Sequence, residues 1–155
     1  MTDNRNILTA GRKALVDRLG DITQDNGYLT NAGFNVQTGW LSAVLQAEGV
    51  SFPLLVVQPA AGQPPRPGPA GSILVPGFNV VGAVSLGDEY DDGLDDLQLD
   101  IVRCLTVEKS RPCRWLPPGV INIQFGAPAS FPPGEGLQAA TVVVPIHLSI
   151  IVEGI

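Results

Sequence analysis

The run TVVVPIHLSIIV, Thr141 to Val152, constrains the fold more than any other part of the chain. Val142, Val144, Ile146, Leu148, Ile150 and Val152 recur at every second position. Thr141, Val143, Pro145, His147, Ser149, Ile151 and Glu153 fall between them. A period of two places the first set on one face of a β-strand. Six aliphatic side chains on one face need a sheet with a core packed against it. Pro145 has no backbone N–H to donate, which predicts an edge strand or a bulge there. Pro145, His147 and Ser149 also interrupt the run, and it is too short to span a bilayer as a helix.

The remaining segments supply partners for that strand. Residues 4–19 read as a helix, because Ile7, Leu8, Gly11, Leu15 and Leu19 recur at spacings of three and four. Asp3 or Asn4 is the expected cap and Gly20 the stop, with Arg5, Arg12, Lys13, Asp17 and Arg18 on the polar side. Turn signals at Asn26-Gly27 and Asn31-Ala32-Gly33 follow. Strands are predicted over Phe34–Leu41, Phe52–Val57, residues 73–86 and Val120–Phe125. DDGLDDLQLDIVRCL, residues 91–105, reads as a second helix with Leu94, Leu97, Ile101 and Leu105 inward and Asp100 and Arg103 on its wet side. The fold class is α+β, a mostly antiparallel sheet of about five strands with two helices on one face, in the order α-β-β-β-α-β-β. With 155 residues the chain fits one domain, 1–155.

Composition decides what surrounds this frame. Apolar residues make up 45 % and charged residues 15 %, the latter low against a usual ~25 %, so the chain is not of a disordered type. QPAAGQPPRPGPAGS, residues 58–72, holds five prolines and three glycines. Too few backbone donors remain for helix or sheet, which predicts an extended Pro/Gly-rich loop at 59–71, polyproline-like in part. A second Pro/Gly loop is expected at 126–136. The net charge is −6, with two lysines and seven scattered arginines. Tight binding to nucleic acid or to an anionic membrane needs clustered positive charge and is not expected. The start, MTDNRNILTAGRK, has no signal-peptide core, so a soluble protein made in a cytoplasm is expected. Cys104 and Cys113 lack CxxC spacing and read as free thiols.

The residues fit no catalytic template. DEYDDGLDD, residues 88–96, holds six acids. With Gly93 at the sixth position of a calcium loop, Tyr90 and Leu99 stand where ligands are needed. A carboxylate pair for hydrolysis would need a second segment facing the first. The cluster therefore reads as a solvated helix start: Asp91 or Asp92 as cap, Asp95 and Asp96 in the first turns, where the helix dipole favours acids. The alternative is a weak divalent-ion or partner site. His147 is the only histidine and no GxSxG elbow accompanies it, so it reads as a strand histidine at a surface or subunit contact. One His and two distant Cys do not make a zinc site. GEGLQA, residues 134–139, lacks the strand-then-helix context of a dinucleotide loop, and no P-loop is present. SRPCRW, residues 110–115, offers Arg111, Arg114 and Trp115 as interface anchors or as loop packing. No catalytic residue, metal or cofactor is implied.

What remains has the order of a known structural family. The first helix leads into GYLTNAGFNVQTGW, then FPLLVVQP, then the acidic helix LDDLQLDIVRCL, and TVVVPIHLSIIV closes the chain. This pattern, over most of the chain, resembles the tail terminator family of long-tailed bacteriophages. The resemblance implies a virion protein at the head-proximal end of the tail, assembled in the host cytoplasm. It implies a hexameric ring that caps the tail tube, stops its polymerisation and docks the head connector. DNA would pass through its channel without specific binding. The candidate subunit or partner contacts are Arg66, Asp91, Asp92, Asp95, Asp96, Arg111, Arg114, Trp115 and His147. The loops at 59–71 and 126–136 are candidates to reach neighbours. The alternatives are another neck or head–tail connector component, a minor tail protein, or an enzyme using divalent ions at the 88–96 cluster.

Overall fold

A computed structural model describes residues 6–46, 50–69, 71–87, 89–106, 115–131 and 139–153. The chain is α+β, with three helices and one mixed sheet of six strands among the described residues. The helices are α1 (Ile7–Leu19), α2 (Leu41–Gln46) and α3 (Tyr90–Thr106). The strands are β1 (Val36–Thr38), β2 (Leu54–Gly68), β3 (Gly71–Ser85), β4 (Val120–Phe125), β5 (Ala129–Phe131) and β6 (Ala139–Glu153). The order across the sheet is β1-β2-β3-β6-β4, and β5 also pairs with β6. Among the described strands only β1 and β2 run parallel.

The alternating run is the centre of the sheet, not its edge. One side of β6 pairs with β3 from Gly71↔Glu153 to Ser85↔Ala139, and the other side with β4 and β5. The Gly126 N–H donates to the Pro145 carbonyl at 2.8 Å. A strand residue points its N–H and C=O to the same side, so the Pro145 nitrogen faces β4 and β5. It lies where β4 has ended at Phe125↔Ile146 and β5 has not begun at Ala129↔Val143. No donor is needed there, which is why a proline fits an interior strand.

The proline-rich stretch is also paired, against the expectation of a loop at 59–71. β2 runs through it to Gly68 and turns directly into β3. Two irregularities absorb what the prolines cannot supply. One lies between Ala60 and Gln63, the other between Gln63 and Arg66, where Pro64 and Pro65 sit. Each adds one residue to β2 relative to β3, the arrangement in which strand prolines are tolerated. At Gly77 an added Cβ would collide with the Ala61 carbonyl, so the first bulge closes onto a position that only glycine can occupy.

The two sheet faces carry separate cores. α1 and α3 cover one, over Leu55, Val57, Phe78, Val80, Val142, Val144, Ile146, Leu148 and Ile150. α3 contributes Leu94, Leu97, Ile101, Cys104 and Leu105, all buried; burial of such a Leu or Ile side chain stabilises by about 1.5–3 kcal/mol. The other face, with Leu54, Val56, Val81 and Ala83, packs against Leu41, Val44 and Leu45 of α2. The two expected helices, α1 and α3, share one face, and α2 is a third that covers the other. α2 and β1 divide a segment expected to be a single strand over Phe34–Leu41. Gly39 has φ 108, which ends β1 at little cost. The Leu41 N–H then finds the Gln58 Oε1 at 2.8 Å, and the turn continues as helix. α1 begins one turn later than expected, capped by the Asn6 side chain accepting from Leu8 N–H at 3.0 Å. Asp3, Asn4 and Arg5 lie outside the described residues. No described helix is long and apolar enough to cross a membrane.

Candidate functional site

The acidic segment forms the start of α3. The Glu89 carbonyl accepts from Gly93 N–H, so Glu89 occupies the capping position and Tyr90 opens the helix. The expected cap is Asp91 or Asp92; both are instead first-turn residues, where the N-terminal dipole still favours them. Asp91, Asp92 and Asp95 are exposed and Asp96 is half-buried. Asp88 lies outside the described residues. A cleft of about 720 Å³ opens beside this helix start, with Phe52, Pro53, Val84 and Leu97 in its lining and Gln24, Thr30, Asn31 and Glu89 among its polar residues. Among the described residues no group of three or more His, Cys, Asp or Glu converges on a point where a metal ion would sit.

Asp100 departs from its expected place on the wet side of α3. It is fully buried. Its Oδ1 accepts from Leu29 N–H at 3.0 Å, and its Oδ2 accepts from Thr30 N–H and Thr30 Oγ1, both at 2.8 Å. The carboxylate thus fastens the segment between α1 and β1 onto α3. The signal was present in the spacing: Asp100 follows Leu97 by three and precedes Cys104 by four, inside the apolar stripe.

At the other end of α3 the last turns of α1 and α3 meet. Arg18 Nε donates to the Cys104 carbonyl at 2.9 Å, and Cys104 Sγ donates to the Arg18 carbonyl at 3.2 Å. The guanidinium therefore lies at the negative ends of two helix dipoles, and its Nη1 lies 3.3 Å from Asp21 Oδ2. Tyr28 packs alongside, with the Arg103 guanidinium 5.6 Å from its ring centre. Burial, and then the neighbouring Cys104, push the Tyr28 phenol up to about 12. Burial also raises the Cys104 thiol, which is free. This knot is a joint between elements, and its phenol and thiol are both neutral at pH 7.

The other candidates are scattered. His147 is half-buried and donates from Nε2 to the Ala61 carbonyl at 3.2 Å, so it braces the first bulge of β2. Arg66 is exposed on the distal part of β2, far from the acidic helix start in sheet register. Trp115 packs its ring against the main core, and its Nε1 is buried with no partner among the described residues. Arg111, Arg114 and Cys113 lie outside the described residues, as do positions 132–136 of the second expected loop and most of GEGLQA. Within that loop Ala129–Phe131 is strand β5.

The exposed apolar side chains were not anticipated. Phe34 is 77 % exposed and Trp40 58 %, and they flank β1. Ile121 and Phe125 on β4 and Phe131 on β5 are exposed as well. Five large apolar side chains thus mark the two opposite edges of the sheet. A Phe or Trp next to glycine in a turn reads equally well as core, which hid them in the sequence. No family model matches the sequence, and no curated protein does.

Proposed function

We propose that the chain is a ring-forming structural subunit of a phage tail, the terminator that caps the tail tube and docks the head connector. The observation that supports this best is the exposure of large apolar side chains at two unlike sheet edges: Phe34 and Trp40 on one, Ile121, Phe125 and Phe131 on the other. Two different surfaces on opposite sides suit head-to-tail contact, and head-to-tail contact that closes by rotation makes a ring. The charge distribution fits the same use. The exposed acids at the start of α3 suit either a channel that DNA passes without sticking or a neighbour's arginines. The order of sequence segments that resembles the tail terminator family supports the same reading.

The test is the solution mass of the purified protein by light scattering across concentration, followed by microscopy of tails carrying the labelled chain. A subunit of 16.3 kDa gives about 98 kDa for six copies in a closed ring. Label at the tip of the tail tube supports the terminator. Label within the head neck makes the chain a connector component instead, and absence from particles overturns the reading.

A further inference from the structure

Among the described residues the sheet has two open edges, and they lie at one level. Val36 of β1 pairs with Leu55, Leu55 with Gly82, Gly82 with Val142, and Val142 with Ser130 of β5. A single row therefore crosses five strands, with β1 at one end and β5 at the other. Their polarity is also complementary. β1 runs with β2, and β2, β3, β6 and β5 alternate in direction. A copy placed beside β1 with its β5 foremost would meet it antiparallel, the more stable pairing.

The free backbone groups match. Leu55 N–H donates to the Asn35 carbonyl and Gly39 N–H to the Val57 carbonyl, so Asn35, Gln37 and Gly39 face β2 while Val36 and Thr38 face outward. On β6 the Pro145 carbonyl marks the side that meets β4 and β5, so Val143 and Thr141 face β5 and Ser130 faces outward. Elsewhere the β2 side of the sheet is closed to such pairing. Pro59 shares the outward side of Leu55 and Val57 and brings no donor, and the bulges beyond it break the ladder. Among the described residues, only the β1 segment of that side offers a regular edge.

We propose that β5 of one copy pairs antiparallel with β1 of the next, Val36 opposite Ser130 and Gln37 opposite Ala129, so that the sheet continues from subunit to subunit. This deepens the ring reading and rests on it. The area needed is within reach. With a whole aromatic side chain worth roughly 150–250 Å², the exposed fractions of Phe34, Trp40, Phe125 and Phe131 sum to about 450 Å². That is over a quarter of the roughly 1,600 Å² that a stable contact buries, before the strand edges are added.

Oxidative cross-linking of a Gln37→Cys/Ala129→Cys variant tests the pairing, on free protein and on intact tails. Both positions are exposed, so folding is expected to be kept and is checked by circular dichroism. Within one chain they lie four strand spacings apart, about 19 Å, too far for a disulfide. A ladder of covalent oligomers from the double variant, absent from each single variant, supports the pairing. Slowed amide exchange at Val36 and Ser130 in assembled wild-type protein is the expected companion result. A ring at about 98 kDa with no ladder and unprotected amides overturns the edge pairing and leaves the ring reading standing. A chain that stays monomeric in solution and is absent from tails overturns both.

Discussion

Asp100 carries the attachment of a whole segment on one carboxylate. Its three bonds to Leu29 and Thr30 are made with no exposed surface, so removing it strands two backbone donors and a hydroxyl. Asp100→Ala is expected to lower stability by about 3 kcal/mol, and Asp100→Asn, which keeps one acceptor oxygen, by about 1–2 kcal/mol. Urea unfolding reads both; a loss below about 0.5 kcal/mol for Asp100→Ala would place those donors in water instead. The joint at Tyr28 and Cys104 makes a prediction in pH. Both acids have folded pKa values raised above their unfolded ones, so the folded state keeps protons that the unfolded state has lost. Their contribution is complete below the unfolded values and disappears as pH rises through the folded ones. Stability should therefore fall from about pH 8.5, where an unfolded thiol ionises, and continue to fall toward pH 12. Tyr28→Phe should flatten the part of that fall above about pH 10. An unchanged profile in thermal melts at stepped pH counts against it.

At the scale of elements, the bulged β2–β3 ribbon is the most specific device. Gly77→Ala is expected to destabilise by about 2 kcal/mol or more, because its Cβ would press on the Ala61 backbone and on His147, and overpacking of this kind costs about 1–3 kcal/mol. Gly87→Ala, with open space around the added carbon, is the neutral comparison. Equal melting temperatures for the two would remove the argument for a closed bulge. The same ribbon shows what was legible in the sequence. The alternation of β6 and the Leu94–Leu97–Ile101–Leu105 stripe of α3 were read correctly because periodicity is local. The pairing of Pro59–Gly68 was not, because whether a missing N–H matters depends on which side of the strand is occupied, and that is set by distant chain. Pro145 misled for the same reason: the gap between β4 and β5 that excuses it is a tertiary fact. α2 was missed because six residues are too few for a helical period to show. The candidate site was legible only as residue types, since the levelling of β1 with β5 requires the register of four ladders.

For the whole molecule, the charge layout is the property most open to test. Reversing Asp91, Asp92, Asp95 and Asp96 to Lys changes the formal charge by two units at each of four sites, from −6 to +2. On the ring reading this is expected to impair assembly or to slow DNA passage, measured as infectious particles per tail. Replacement of the four by Asn, which keeps their size and hydrogen-bonding capacity, separates a loss of sign from a loss of helix stability. Unchanged yields with Lys at all four positions would argue against both the channel and the neighbour contact.

The central place of β6 has a bearing on how the molecule comes into being. β3 emerges from the ribosome more than fifty residues before the strand that must lie against it. Until Ala139–Glu153 is made, the sheet under α1 and α3 lacks its Val142–Ile150 row, and β4 and β5 have nothing to pair with. Contacts this remote in sequence make folding slow and leave sticky intermediates exposed. Nascent chains arrested before Ala139 should therefore be digested readily by protease and bound by chaperones. Chains released just beyond Glu153 should become resistant in one step, because a single strand completes the whole sheet.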